Sequence, residues 1–232
     1  MPLPLVIAHR GDSSHALENS LEAVRLALSL GVDMIEVDVR KSRDNRLYLM
    51  HDRETGRTAE GNIDIEQAES GVIAELRLKN GEPVPLLSDV LTLVAGGASL
   101  NLEIKSDGAG ALCAAHLAGS GYRGPLLCSS FQEREVIDAR RVLPNLATAG
   151  IFDSFSVREV KSYRAKGYGI ISLKRKTVSE ALVTACHEQK IKVYVWTLDD
   201  EAEMKKFISW GVDGIYTNKP AVLKAVIMEM KR

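Results

Sequence analysis

Apolar, β-branched runs recur along the chain near residues 5–9, 34–40, 99–105, 126–131, 147–152, 168–173, 192–197 and 213–217. Runs such as "GPLLCSSF" and "KVYVWTL" are apolar almost without alternation, which predicts strands buried on both faces, as in a parallel sheet. Between them lie stretches with helical spacing, among them "NSLEAVRLALSLG", "EREVIDARRVLP" and "DEAEMKKFISWG". Gly31, Gly121, Gly167 and Gly211 stand where helices should stop, and capping boxes are expected at Ser130–Glu133, Ser156–Glu159 and Thr177–Glu180. Eight strands, each followed by a helix, predict an α/β chain folded as a (β/α)8 TIM barrel. An open doubly wound sheet would want a glycine-rich first turn, and "HRGDSSHALEN" is not one.

One segment breaks the rhythm. After the second strand, "SRDN" is a turn signal and "LYLMH" reads as a strand with no room for a crossover helix before it. Residues 34–51 are therefore expected to form an antiparallel hairpin, with 47–51 an excursion above the barrel. The polar, interrupted stretch that follows predicts a small inserted cap at about residues 53–85, so the chain reads as a single barrel domain over 1–232.

Composition adds exclusions. Of 232 residues, 45% are apolar and 26% charged, enough for a full core, and the formal net charge of −1 gives no reason to expect nucleic acid as a partner. Cys113, Cys128 and Cys186 fit neither a disulfide framework nor zinc-ligand spacing and read as buried small residues. With the first strand so close to Met1, no room for a leader and no apolar run long enough to span a bilayer, a cytoplasmic protein without an integral membrane segment is expected.

In such a barrel the working residues sit at the C-terminal ends of strands. The first strand ends in His9 and Arg10; the second carries Glu36 and Asp38, and the third Glu103 and Lys105, each pair two apart and on one side. With the hairpin turn centred on residues 43 and 44, pairing partners sum to about 87, which places His51 opposite Glu36. Trp196 lies on the seventh strand, and Thr217 and Asn218 end the eighth. Carboxylates gathered this closely repel unless they share a cation, and an all-oxygen set favours a divalent ion, Mg²⁺ or Ca²⁺, over zinc. Arg10 and Lys105 would then meet anionic oxygens, and two histidines would supply a base and an acid for phosphodiester cleavage. His15, His116 and His187 read as structural or solvated.

These residues resemble a known family. "HRG" followed by "EN", then "EVDV", "HD", "PLLSDVL", "LEIK", "VWT" and "TNKP", in that order from His9 to Pro220, are similar to the glycerophosphodiester phosphodiesterases. The resemblance implies a TIM barrel that uses a divalent cation to hydrolyse a small-molecule glycerophosphodiester to glycerol 3-phosphate and an alcohol. It implies that His9 and His51 are the acid/base pair, that Glu36, Asp38 and Glu103 are the metal ligands, and that Arg10 and Lys105 contact phosphate. Trp196 matches an aromatic wall beside the substrate, and Glu18 and Asn19 match the "EN" element near the metal. Asn218 stands where the family usually has aspartate. His9 is favoured as base and His51 as acid, an order that the sequence leaves open. Related readings are a sphingomyelinase-D-like or lysophospholipase D activity on the same barrel, or a non-catalytic phosphate-binding module. The polar character of 53–85 weighs against the first pair, and the retention of every histidine and acidic position weighs against the last.

Overall fold

A computed structural model of the chain describes residues 3–231. In chain order it contains β1 (Leu5–His9), α1 (Leu21–Ser29), β2 (Met34–Lys41), β3 (Leu47–Leu49), α2 (Ser70–Ala74), α3 (Leu87–Val94), β4 (Ser99–Ile104), α4 (Ala109–Gly119), β5 (Leu126–Ser130) and α5 (Glu133–Val142). There follow β6 (Ala147–Phe152), α6 (Val160–Ala165), β7 (Ile170–Lys174), α7 (Glu180–Glu188), β8 (Lys192–Trp196), α8 (Glu201–Ser209), β9 (Gly214–Thr217) and α9 (Pro220–Met230). The strands pair in the order β1-β9-β8-β7-β6-β5-β4-β2, and β1 returns to β2, so eight parallel strands close into the expected (β/α)8 barrel. β3 stands outside the ring, antiparallel on β2.

The near-continuous hydrophobicity of the strands follows from burial on both faces. Val6, Ala8, Ile35, Val37, Leu100, Leu102, Val193 and Val195 face outward and join the helices in the main core. The alternate positions Ile7, Met34, Leu127, Ala149, Tyr194 and Tyr216 fill the barrel interior. Moving two residues toward the C-terminal end turns that inner face polar on β1, β2 and β5, where Ile7 gives way to His9, Met34 to Glu36 and Asp38, and Leu127 to Ser129, while β6 and β8 carry Ile151 and Trp196 there. The strand register aligns these positions, with His9 beside Glu36, Glu36 beside Asn101, and Asp38 beside Glu103. A site at the C-terminal mouth is therefore a product of alternation plus register.

Helix punctuation is partly as expected. Gly31, Gly121, Gly167 and Gly211 adopt the left-handed φ that ends a helix. Ser156 and Glu159 form a reciprocal capping box. The other two expected boxes do not form. The Ser130 hydroxyl, at the buried end of β5, donates to the Ile104 carbonyl of the next strand. Ser179, not Thr177, caps α7, and Thr177 donates to the Asp153 carbonyl.

The hairpin exists, with two corrections. Val39 pairs with Leu49, Arg40 with Tyr48 and Lys41 with Leu47, so the register is one residue off the expected one and His51 does not lie opposite Glu36. The strand also stops at Leu49 instead of running to residue 51. Leu49 faces the outer core while Tyr48 and Met50 pack beneath the following segment against Ile65, Ile73, Leu78 and Val84. By alternation alone His51 would share the outward side of Leu49. The chain instead bends after Met50, and Arg40 fixes that bend by donating from Nε to the His51 carbonyl at 2.9 Å. The same guanidinium donates to Glu66 at 2.6 Å, which also accepts from Ser106 Oγ at 2.6 Å, tying the 51–86 segment to the ends of β2 and β4.

Candidate active site

Glu36, Asp38 and Glu103 each present a carboxylate oxygen, and these oxygens lie within 4.8 Å of one another in the buried mouth of the barrel. Glu36 is 1% exposed and Asp38 fully buried, so neither charge is screened by water. Two cations answer them. Arg10 Nε is 3.0 Å from Asp38 Oδ2, its backbone N–H donates to Glu36 Oε2 at 2.9 Å, and its Nη1 donates to Glu18 Oε1 at 2.8 Å. Lys105 Nζ donates to Glu103 Oε1 and stands 3.1 Å from Asp38 Oδ1. Arg10 holds a left-handed backbone (φ 59°), followed by Gly11 at 83°, where a Cβ would strike the Ala23 backbone at 2.6 Å. That tight passage between β1 and α1 turns both the Arg10 N–H and its side chain toward the carboxylates. Asn19 supports the cluster from behind: its Nδ2 donates to Asp38 Oδ2 at 2.8 Å, and its Oδ1 accepts from the Asp38 N–H at 3.0 Å.

Glu36 Oε1 is buried without a hydrogen-bond donor, and Asp38 Oδ1 has only the Lys105 ammonium at 3.1 Å. An orphaned acceptor of this kind is costly in a dry interior. The three-carboxylate arrangement fits a hard divalent cation, which accepts an all-oxygen ligand set with variable geometry. Burial, and then the neighbouring Asp38 charge, push Glu36 up to about 8 and Glu103 up to about 7. Burial works on Asp38 in the same sense, but Lys105 and then Arg10 overcome it and hold that carboxyl at about 2.

These shifts set a stability prediction. A carboxyl group whose folded pKa lies above its unfolded one keeps its proton better when folded, so its contribution is present at low pH and is lost as pH rises through the folded value. Asp38, which works in the opposite sense, has finished titrating well below neutrality. His9 and His51 are both held below their ordinary value, first by burial, and oppose the carboxylates only up to about pH 6.5. Between pH 6.5 and 8 the ion-free protein should therefore lose thermal stability, and the rise in Tm on adding Mg²⁺ should grow. Calorimetric melting with and without the ion checks both; an ion-free Tm that climbs over that interval would contradict the cluster's electrostatics.

The histidines stand in different surroundings. His9 Nδ1 is 2.8 Å from Asn218 Oδ1. The amide orientation is defined by its other end, because Asn218 Nδ2 donates to Asp199 Oδ2 at 2.7 Å while Ser13 Oγ donates to Oδ1. His9 Nδ1 thus carries the proton and Nε2 is left open toward the cavity. Asn218 keeps a neutral acceptor on His9, with the Asp199 carboxylate one hydrogen bond further back. His51 Nδ1 is 2.6 Å from Asp52 Oδ1, which again leaves Nε2 open but puts a carboxylate directly behind the ring.

His9, Arg10, Glu36, His51, Glu103 and Lys105 share one cavity of about 100 Å³, walled by Trp196, Phe131 and Ile151 and floored by Asn101, Ser172 and Tyr216. Asp38 lies just beneath its wall. Phe131 and Trp196 meet edge to face at 5.6 Å. Of the other residues expected from the sequence, Glu18 contacts the cavity-lining Arg10, Asn218 contacts His9, Asp38 contacts Arg10 and Lys105, and Asn19 reaches the cavity only through Asp38. Glu18 touches arginines and not the carboxylate cluster. The sequence assigns no role to Phe131, Asp199 or the floor network in which Asn101 Nδ2 donates to Tyr216 Oη at 3.0 Å, and Asp52 and Arg57 appear in it only as parts of the "HD" and "RT" elements. Phe131 had a usable signal, since it ends an apolar run just where a barrel strand meets its loop. A larger open hollow of about 750 Å³ lies near Ser88, His116 and Arg123 and holds none of these groups.

The sequence model of the Glycerophosphoryl diester phosphodiesterase family matches residues 9–222, nearly the whole chain. The chain belongs to this family. A glycerophosphodiester phosphodiesterase of Caldanaerobacter subterraneus subsp. tengcongensis is 30% identical over 94% of this chain and 96% of its own. Among solved structures, the glycerophosphodiester phosphodiesterase of Agrobacterium tumefaciens superposes with a TM-score of 0.82 at 25% identity, over 96% of this chain and all of its own. A phosphodiesterase of Oleispira antarctica, solved with its product sn-glycerol-3-phosphate, superposes with a TM-score of 0.90 at 24% identity over 97% of each chain. This member of the family is thus a phosphoric diester hydrolase on a TIM barrel. No helix among its described residues is long and apolar enough to cross a membrane.

Proposed function

We propose that the protein hydrolyses small glycerophosphodiesters to glycerol 3-phosphate and an alcohol, with His9 as the base and His51 as the acid. The observation that carries this reading is the pair of open Nε2 atoms in one cavity with a buried three-carboxylate cluster and two cations. Glu36, Asp38 and Glu103 would hold a divalent cation, Mg²⁺ or Ca²⁺. When bound, such an ion neutralises phosphate charge and withdraws electron density from phosphorus.

The chain's own residues divide the remaining work. Arg10 and Lys105 pair with phosphate oxygens, and the Trp196 ring walls the glycerol carbons. His9 Nε2, kept neutral by burial and by the Arg10 charge, takes the proton of the attacking glycerol hydroxyl. The new O–P bond closes a cyclic phosphate as the bond to the departing alcohol breaks, and that alkoxide oxygen takes the Nε2 proton of His51, which enters the step as an imidazolium with its Nδ1–H held by Asp52. Water then opens the ring with the two histidines in reversed roles. A cavity of about 100 Å³ is small beside the roughly 300–1,000 Å³ of sites that enclose a whole ligand, so the alcohol lies on the rim beneath the 53–85 cap.

A panel of glycerophosphocholine, glycerophosphoethanolamine and glycerophosphoinositol tests the reading. Glycerol 3-phosphate and the free alcohol should appear in equal amounts. Release of phosphocholine with free glycerol would show cleavage of the other ester bond and would overturn it, and preferential turnover of lysolipids would favour a lipid phosphodiesterase.

A further inference from the structure

Arg57 joins two parts of the mouth that are far apart in the sequence. It sits on a single 3₁₀ turn, Thr55–Arg57, in the segment between β3 and α3. Its Nη1 donates to Glu18 Oε2 at 2.8 Å, its Nη2 to Glu18 Oε1 at 2.6 Å, and its Nε to Asp52 Oδ2. Asp52 Oδ1 holds His51 Nδ1, and Glu18 Oε1 also holds Arg10 Nη1. One planar fork therefore spans the carboxylate behind His51 and the carboxylate behind Arg10.

We propose that Arg57 is a positioning residue for the proton-donating step: by pinning Asp52 it fixes the His51 ring with Nε2 toward the leaving oxygen. This rests on the reading of His51 as the acid. Asp52 lies on a bend with its side chain about one-third exposed, and Arg57 is the only partner of its second oxygen among the described residues. Without that partner the carboxylate is free to rotate, and the ring loses the acceptor that sets its tautomer and tilt. Arg57 is not placed to bind the substrate phosphate. All three of its nitrogens are committed to carboxylates, and it does not line the cavity, whereas Arg10 and Lys105 do. Nor does the turn depend on the side chain. Lys79 Nζ donates to the Arg57 carbonyl at 2.9 Å, and Thr55 Oγ1 to the Gly61 carbonyl at 2.9 Å, contacts that survive truncation to alanine.

The test exploits leaving-group chemistry. Glycerophosphoethanolamine expels an alkoxide that needs a proton, whereas glycerol 3-(p-nitrophenyl phosphate) expels a stable phenolate that does not. In single turnover, which reads the bond-breaking step before water opens the ring, R57A should release ethanolamine about 10- to 100-fold more slowly and nitrophenolate at most a few-fold more slowly, with an unchanged melting temperature. H51A should show the same selectivity with a larger loss. The double variant should be no slower than H51A alone, because the arginine acts through that histidine. R57K should recover only part of the loss, since an ammonium cannot bridge two carboxylates as a guanidinium fork does. If H51A loses equally on both substrates, the acid assignment fails and takes the Arg57 role with it. If H51A is selective but R57A is not, or if the double variant shows additive losses, the Arg57 role alone is overturned.

Discussion

Replacing His9 with alanine is expected to lower kcat on glycerophosphoethanolamine by roughly 10² to 10⁴, the range for loss of a general base. His9 ends β1 on the inner face, where its Nδ1 is committed to Asn218 and only Nε2 meets the cavity. Truncation there removes a proton acceptor without exposing a core position, since the neighbouring core residues Ile7 and Ala8 keep their packing. Melting temperature and ion affinity should therefore change little, and added imidazole should restore part of the rate. His51→Ala should fall within the same range. His116→Ala and His187→Ala should leave kcat within about twofold: His116 lies on α4, and His187 on α7 pairs with Asp213 at 2.8 Å, both outside the cavity. Equal losses at His187 and His9 would mean that the site is misplaced.

Exhaustive chelation is expected to reduce turnover to background, and Mg²⁺ or Ca²⁺ should restore it. The cluster has three carboxylates against two nearby cations, and the buried Glu36 Oε1 has no protein donor to satisfy it. Without an ion, burial and then the Asp38 charge raise Glu36 to about 8 and Glu103 to about 7, so the mouth holds protons near neutral pH. Binding must then displace protons near neutral pH. Titration calorimetry in buffers of different ionisation enthalpy should detect that release, and Glu36→Gln should reduce it together with the affinity. Full activity in chelated protein, or binding with no proton release, would refute the assignment of these carboxylates.

Much of this site was legible in local sequence because a parallel barrel repeats one local rule. A strand with both faces buried is written as an uninterrupted apolar run, and its inner face is every second residue. Pairs such as Glu36 with Asp38 and Glu103 with Lys105 therefore show their common side from spacing alone, and their strand ends give the mouth. The sequence by itself determined the eight-unit repeat, the antiparallel arm after β2, and the identity of the carboxylates, cations and histidines that meet there.

Tertiary structure decided what depends on contacts between distant segments. The hairpin register, one residue off the expected one, is set by Val39 and Leu49 sharing the outer core while Tyr48 and Met50 pack beneath the cap. His51 reaches the site through a bend tied by Arg40 and Asp52, not through strand alternation. The differing environments of the two histidines arise from Asn218, 209 positions away from His9, and from Asp52 held by Arg57. A period of two in one strand carries no information about which loop amide or guanidinium will fold over its end, because that is fixed only when the barrel closes and the cap is seated.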